Sequence, residues 1–192
     1  MLALAIVDRL RDVNSTSVVP MSWKRTVERV ALERWHGQSY AGASRQDSIR
    51  DRRGERDQFA LGRAFAEAGM KVMLADIETD ALAAAVESLH DFGPDVRGVT
   101  CDVADPASVE RAAKASYEAF GNVHVVCNNA GVAGGSGIDD ILLDNWRWVL
   151  DVNLMGVVHG IRTFLPHIRG HGEGGHIVNT ASMAGDGERA RG

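Results

Sequence analysis

The chain has 192 residues, of which 45% are hydrophobic and 24% charged, so it is long enough for one globular domain with a buried core. Its net charge of −5 gives no electrostatic reason to expect nucleic acid as a partner. It has two cysteines without metal-ligand spacing, no apolar run of membrane-span length and no signal-peptide pattern. These features predict a cytoplasmic protein that has no disulfide framework.

Charge and hydrophobic patterning divide the chain at about residue 58. Residues 1–58 carry 11 Lys and Arg against 8 Asp and Glu, whereas residues 59–192 carry 10 against 18. Residues 41–58 show no apolar periodicity, and the pattern becomes regular from Phe59 onward. We therefore predict an irregular N-terminal segment over 1–58 and one α/β domain over 59–192.

In this second part, helical and strand patterns alternate along the chain. The predicted strands are, in chain order, KVMLAD, RGVTCDV, VHVVCNNAG and GHIVNTAS. One helix is predicted before each strand. The first covers 59–69 and is stopped by Gly69, the second covers 79–92 and is opened by Thr79 or Asp80, the third runs from Asp105-Pro106 to about Phe120, and the fourth is a mostly helical stretch over 140–168 that Pro166 ends or kinks. This order predicts a doubly wound parallel sheet with helices on both faces.

The polar residues that follow the predicted strands are the candidate site residues. In a parallel sheet of this kind, ligands bind at the carboxyl ends of the strands. The residues placed there are Asp76, Asp102, Asn128–Gly131 and Asn179–Ser182.

Four segments of the chain resemble the short-chain dehydrogenase/reductase family over residues 59–185. They are Asp102-Val103, Asn128-Asn129-Ala130-Gly131, Asn153-Leu154-Met155-Gly156 on the long helix, and Asn179-Thr180-Ala181-Ser182-Met183-Ala184-Gly185 on the last strand. The resemblance implies a Rossmann-like fold and an NAD(P)-dependent oxidoreductase that passes hydride between nicotinamide and a secondary alcohol or ketone. It also implies a homo-oligomer formed through the long helix around 140–168.

The resemblance assigns two acidic residues and one apolar residue to contacts with the adenosine part of the cofactor. Asp76 would accept hydrogen bonds from the ribose hydroxyls and repel a 2′-phosphate, which favours NAD over NADP. Asp102 would contact the adenine amino group, with Val103 beside the ring. The alternative for Asp76 is a turn or helix-capping acid, and that for Asp102 is the N-cap of the next helix, a role that Asp105 fits better.

The remaining site residues are assigned in the same way. Ala130 and Gly131 would let the backbone approach the cofactor, and Asn129 would tie neighbouring strands together through side-chain to backbone bonds. Ser182 would hold the substrate oxygen, and Asn153 would hold a water in a proton relay. The alternatives are a strand-end serine bonded to backbone and a solvated surface asparagine.

Two parts of the family pattern are absent from the 192 residues: the Gly-rich turn expected before Phe59, and the Tyr-x-x-x-Lys expected after Ser182. Without an apolar first strand, the second and fourth strands of the family would have uncovered edges. Impaired activity and a non-catalytic, truncated Rossmann module with weak nucleotide or partner binding therefore both stay open. A third class, such as a methyltransferase, would not need the Asn-Asn-Ala-Gly segment.

The irregular N-terminal segment has a second interpretation. Reading the coding DNA one base later through Gln46–Asp57 permits the peptide R-T-A-F-V-T-G-G-A-S-G-I, an apolar strand followed by the Gly-rich turn. Residues 1–58 are then either a native extension or a segment translated out of frame. The tail that follows Gly185 is a candidate for a second break of the same kind.

Histidines are frequent in the last third of the chain, at His159, His167, His171 and His176. A metal site needs converging ligands with an outer shell of hydrogen bonds, which this spacing does not indicate. From the sequence we expect no metal.

Overall fold

The computed structural model describes residues 2–8, 61–93, 95–133 and 142–181. Within these ranges the strands are β1 (Leu2–Asp8), β2 (Lys71–Asp76), β3 (Val96–Thr100), β4 (Val125–Asn128) and β5 (His176–Asn179). The helices are α1 (residues 61–67), α2 (Thr79–Leu89), α3 (Pro106–Phe120), α4 (Leu143–Leu150) and α5 (Gly156–Gly170), with a π-helical turn, Asp151–Met155, between the last two. The predicted alternation of helix and strand is confirmed.

The five strands form one sheet in the order β3-β2-β1-β4-β5. As predicted, β2 pairs parallel with β3 and β4 pairs parallel with β5. The difference from expectation is β1, an apolar run at the start of the segment expected to be irregular, which pairs antiparallel with both β2 and β4. It covers the two edges expected to be open, because its backbone N–H and C=O groups supply the partners that these strands need.

Each face of the sheet buries its own core, as a doubly wound sheet requires. Alternate residues of β2 point to opposite faces, so Leu74 packs with α1 and α2 whereas Met73 packs with α3 and α5. On the first face, Phe65 and Leu89 are almost fully buried, and on the second face so is Phe164. The strands are apolar on both sides because helices cover both sides.

The ends of three helices test the predicted start and stop signals. Gly69 has a φ of 75°, so it ends α1 in a conformation that favours glycine, as predicted. The side chain of Asp105 accepts a hydrogen bond from the backbone N–H of Ala107, which confirms it as the N-cap of α3. The N-cap of α2 is Glu78, one residue before the predicted Thr79, and no side chain caps that helix.

Pro166 lies inside α5 and does not end it, since the helix continues to Gly170. Proline removes one helical hydrogen bond, but the buried side chains of Phe164 and Ile168 on either side hold this part of the helix against the sheet. In the described part of the chain, no helix combines the length and the apolar character needed to cross a membrane.

Both cysteine thiols are free and buried. Burial is the main cause that raises the pKa of Cys101 to about 11 and that of Cys127 to about 12. Because the thiolate is the nucleophile and the metal ligand, both residues serve as small apolar groups of the core at neutral pH.

Candidate active site

The carboxyl ends of four strands meet along one edge of the sheet. Asp76 is the register partner of Thr100 across β2 and β3, and Asn128 is the partner of Asn179 across β4 and β5. The amino end of β1 lies between these two pairs, since Leu2 is opposite Asp76. The sequence-predicted residues Asp76 and Asn128 are therefore on the same edge, separated by one strand.

Asp76 is buried, with 1% of its surface exposed. Its Oδ1 atom accepts a hydrogen bond of 2.9 Å from the backbone N–H of Glu78. This bond shapes the turn from β2 into α2, which is the structural role that the sequence left open for this residue. The carboxylate is therefore closed to solvent in this conformation.

Asp102 and Val103 form the turn between β3 and α3. Oδ1 of Asp102 accepts the backbone N–H of Ala104 at 2.9 Å, and its backbone N–H donates to the Ser108 hydroxyl at 3.1 Å. Asp102 thus shapes the turn but does not cap α3. Val103 is buried against α5, where a Cβ atom at Gly156 would lie 2.9 Å from Val103 Cγ2.

The paired asparagines at the end of β4 tie this strand to β5. Nδ2 of Asn128 donates to Oδ1 of Asn179 at 2.8 Å, and the Thr180 hydroxyl donates to Oδ1 of Asn129 at 2.5 Å. Asn129, for which we predicted bonds from its side chain to the backbone, accepts a hydrogen bond from a side chain of the neighbouring strand segment instead. Asn128 is buried and also ties β4 to β5, a role that the sequence did not assign to it.

Asn153 lies in the π-helical turn and holds the loop that follows the Asn-Asn-Ala-Gly segment. Its Oδ1 accepts the backbone N–H of Val132 at 2.7 Å, and its Nδ2 donates to the carbonyl oxygen of the same residue at 2.9 Å. A π-helical turn within an α-helix is frequent at functional sites. Asn153 is exposed to solvent, but both polar atoms of its side-chain amide bond to Val132, so the residue holds Gly131 close to the helix.

Space is left beside this loop. Among the described residues, only Oδ1 of Asn153 lies within 4 Å of a Cβ atom built on Gly131, at 3.7 Å. A cavity of about 10 Å³, the volume of about one water, lies beneath the loop. Its lining residues are Val103, Asn128, Ala130, Val152, Gly156 and Val157. This volume is too small to hold a nucleotide.

His159 is a site residue that sequence reasoning did not place here. Its Nδ1 atom lies 2.9 Å from the carbonyl oxygen of Val103, so it carries the proton and donates. The bond joins α5 to the turn that carries Asp102. The sequence carries no local signal for this bond, because Val103 lies 56 residues before His159 along the chain.

Ser182 lies outside the described residues, as do the turn expected before Phe59 and the tail after Gly185. The last described strand, β5, ends three residues before Ser182, at Asn179. The backbone N–H of Thr180 donates to the carbonyl oxygen of Asn128 at 2.9 Å, so the chain leads toward Ser182 from beside the Asn-Asn-Ala-Gly segment.

Comparison with curated proteins gives relatives that are dehydrogenases by name. The chain is 43% identical over 128 residues to a 1-deoxy-11-beta-hydroxypentalenate dehydrogenase of Streptomyces avermitilis, an alignment that covers 66% of this chain and 47% of the relative. The chain thus spans about half the length of the curated relatives it matches.

Solved structures give the same result. A short-chain dehydrogenase/reductase from Burkholderia phymatum in complex with NAD matches at 46% identity with a TM-score of 0.62, covering 66% of this chain and 46% of that one. An actinorhodin polyketide ketoreductase with NADPH matches at 29% identity with a TM-score of 0.63, covering 69% and 52%. The family model described as short chain dehydrogenase matches residues 59–192, beginning where the regular pattern of the sequence begins. This excludes the methyltransferase alternative, and the chain belongs to the short-chain dehydrogenase family.

Proposed function

We propose that this chain carries the cofactor-binding half of an NAD-dependent oxidoreductase that interconverts a secondary alcohol and a ketone. The observation that carries the proposal is the pair of hydrogen bonds between Asn153 and the backbone of Val132. They hold the chain that follows Ala130 and Gly131 beside the π-helical turn, at the carboxyl edge of the sheet. Solved members of the family are in complex with NAD or NADPH.

Each residue has a distinct part in the proposal. Asp102 and Val103 would bind the adenine, and Ala130 and Gly131 would let the backbone lie against the dinucleotide. When bound, the nicotinamide supplies or accepts the hydride. Ser182 would donate a hydrogen bond to the substrate oxygen as its charge develops. Nucleotide binding, rather than turnover, is the property that tests these roles.

The preference for NAD over NADP is proposed from Asp76. Its carboxylate would accept the ribose hydroxyls and repel a 2′-phosphate. Oδ1 is already held by the backbone N–H of Glu78 at 2.9 Å, which fixes the orientation of the carboxylate. Because the residue is buried, ribose binding would require a rearrangement that exposes the carboxylate.

The proposal predicts that NAD stabilises the full chain against thermal unfolding more than NADP does. At about 100 times the dissociation constant, a ligand adds about 2.7 kcal/mol, which raises the melting temperature by about 5–10 °C for a chain of this size. Asp76→Asn keeps the acceptor for Glu78 but removes the charge. We expect it to reduce the preference for NAD by about tenfold, or about 1.4 kcal/mol. Differential scanning fluorimetry with each nucleotide measures both effects.

Asp80→Asn is the matched control, because Asp80 is an exposed acid in the first turn of α2. It should leave the order of the two nucleotides unchanged. No thermal shift with either nucleotide at millimolar concentration would contradict the proposed function. Equal effects of the two substitutions would contradict the role of Asp76 alone.

A second candidate function, a non-catalytic module that binds a partner, is favoured by the exposed apolar surface of α4 and the π-helical turn. Leu143 is 73% exposed, and Leu150 and Leu154 are about half exposed. Such a surface is typical of an interface, and we propose that it joins two copies of the chain.

Sedimentation equilibrium tests this interface. We expect the wild-type chain to form a dimer and the double variant Leu143→Asp with Leu150→Asp to be monomeric, since each charge would be buried without a partner. Ile77→Asp is the control, because Ile77 is 53% exposed but lies after β2. A wild-type chain that stays monomeric at high concentration would rule out the interface.

A further inference from the structure

The amino end of the sheet, opposite the candidate active site, holds a group of side chains with metal-binding chemistry. His124 directly precedes β4, and His171 and Glu173 lie in the loop between α5 and β5. We call these three residues the amino-end cluster. The sequence did not predict the cluster, since His124 is 49 residues away from Glu173 along the chain.

The cluster is compact enough to surround one ion. One ligand atom from each residue lies within 4.8 Å of the other two. Nε2 of His124 is 2.9 Å from Oε2 of Glu173, and the ring centroids of His124 and His171 are 4.9 Å apart. Two ligands of a tetrahedral zinc ion lie about 3.3 Å apart, because Zn–N and Zn–O bonds are about 2.0–2.2 Å long. The three ligand atoms would therefore have to move closer together to hold one ion.

Hydrogen bonds from neighbouring groups fix the orientations of two of the ligand side chains. Nδ2 of Asn122 donates to Oε1 of Glu173 at 2.8 Å, which leaves the other carboxylate oxygen facing His124. Nε2 of His171 donates to the carbonyl oxygen of Val123 at 3.1 Å, so Nδ1 carries the lone pair. An imidazole that donates its second N–H to a carbonyl is the usual outer arrangement of a metal-bound histidine.

The polar contacts within the cluster would be replaced rather than lost. Nδ1 of His171 accepts a hydrogen bond of 3.1 Å from the backbone N–H of Glu173. Because this N–H is exposed, it can donate to water instead when the nitrogen binds an ion. The Glu173 carboxylate would exchange its contact with His124 for a bond to the ion. Two neutral imidazoles and one carboxylate would leave a divalent ion with a net charge of +1, open to a water ligand.

The loop that carries two of the ligands is held against the sheet. Gly172 and Gly174, on either side of Glu173, have φ values of 73° and 77°, where any other residue is strained. A Cβ atom on Gly175 would lie 2.5 Å from the carbonyl oxygen of His124. The loop thus returns to the strand at the residue that supplies the third ligand.

We propose that His124, His171 and Glu173 form a binding site for a divalent cation of the zinc class. Imidazole nitrogen with a carboxylate oxygen suits zinc among the common ions. The bound ion would link the loop before β5 to the start of β4 and so stabilise the pairing of these two strands. From the sequence alone we expected no metal, so this proposal departs from that expectation.

Cobalt(II) and zinc(II) added to the purified full chain test the site. We expect one equivalent of cobalt(II) to give the intense visible absorption of a tetrahedral site. Added zinc(II) should then displace the cobalt ion and remove this absorption. His171→Ala and Glu173→Gln should each weaken binding by at least about tenfold, since loss even of outer-shell groups costs about 10- to 100-fold. Zinc should also raise the melting temperature of the wild-type chain but of neither variant.

His90→Ala and Glu87→Gln are matched controls, because both residues are exposed on or just after α2. They should bind cobalt as the wild-type chain does. Circular dichroism identifies any variant that fails to fold, and either of the two loop variants suffices for the test. Weak cobalt absorption, or equal affinity in the wild-type chain and a folded cluster variant, would overturn the proposal and leave a hydrogen-bonded cluster only.

Discussion

Replacing Gly160 by alanine is expected to lower the free energy of unfolding by about 2–4 kcal/mol. Gly160 lies where α5 crosses β4, and an added Cβ atom would collide with the side-chain amide of Asn128, whose Cγ would be 3.0 Å away. That amide cannot turn aside without cost, because it is buried and donates to Asn179 at 2.8 Å. Either the helix shifts or a buried amide loses its partner.

Urea-induced unfolding followed by circular dichroism measures this effect. Gly170→Ala is the control on the same helix, since no atom of the described residues lies within 4 Å of a Cβ built there. It should leave stability unchanged or raise it by up to about 1 kcal/mol. An equal loss in both variants would show that the contact with Asn128 is not the cause. We also expect Gly160→Ala to weaken NAD binding, because Asn128 begins the Asn-Asn-Ala-Gly segment.

Truncation of Phe164 to alanine is expected to cost about 3–5 kcal/mol, a large part of the stability of a typical domain. The ring is fully buried between α5 and the sheet. It also meets the ring of Tyr117 edge-on, with centroids 6.0 Å apart and planes at 74°. Such a pair contributes about 0.5–1.5 kcal/mol beyond its buried area, so the cavity and the lost ring contact act together.

The shift in the midpoint of urea unfolding measures this loss of stability when the slope of the unfolding free energy against urea concentration is unchanged. Phe164→Leu keeps most of the apolar volume and should lose much less stability than Phe164→Ala. Ile77→Ala, at a position 53% exposed and outside the proposed interface, should change stability by less than about 0.5 kcal/mol. A loss below about 1.5 kcal/mol for Phe164→Ala would contradict the described packing of α5.

The sequence by itself determined the elements whose signals are local. The run of six residues that ends at Asp76 is apolar enough to be buried on both faces, so it could be assigned to an inner strand. Asp105-Pro106 marks the start of α3 because a carboxylate caps the free N–H groups and proline fixes the first helical turn. The family was predicted from the resemblance of four segments in order along the chain, of which Asn-Asn-Ala-Gly is one.

Only the tertiary structure decided features that depend on partners distant in sequence. An apolar run such as β1 can pair in either direction, and its place between β2 and β4 follows from two strands that each need a partner. The same holds for Asn153 with Val132, 21 residues away, and for His124 with Glu173. Hydrogen bonds of side chains depend on positions in space, which local periodicity does not encode, and so the geometry of both sites emerges only from the fold.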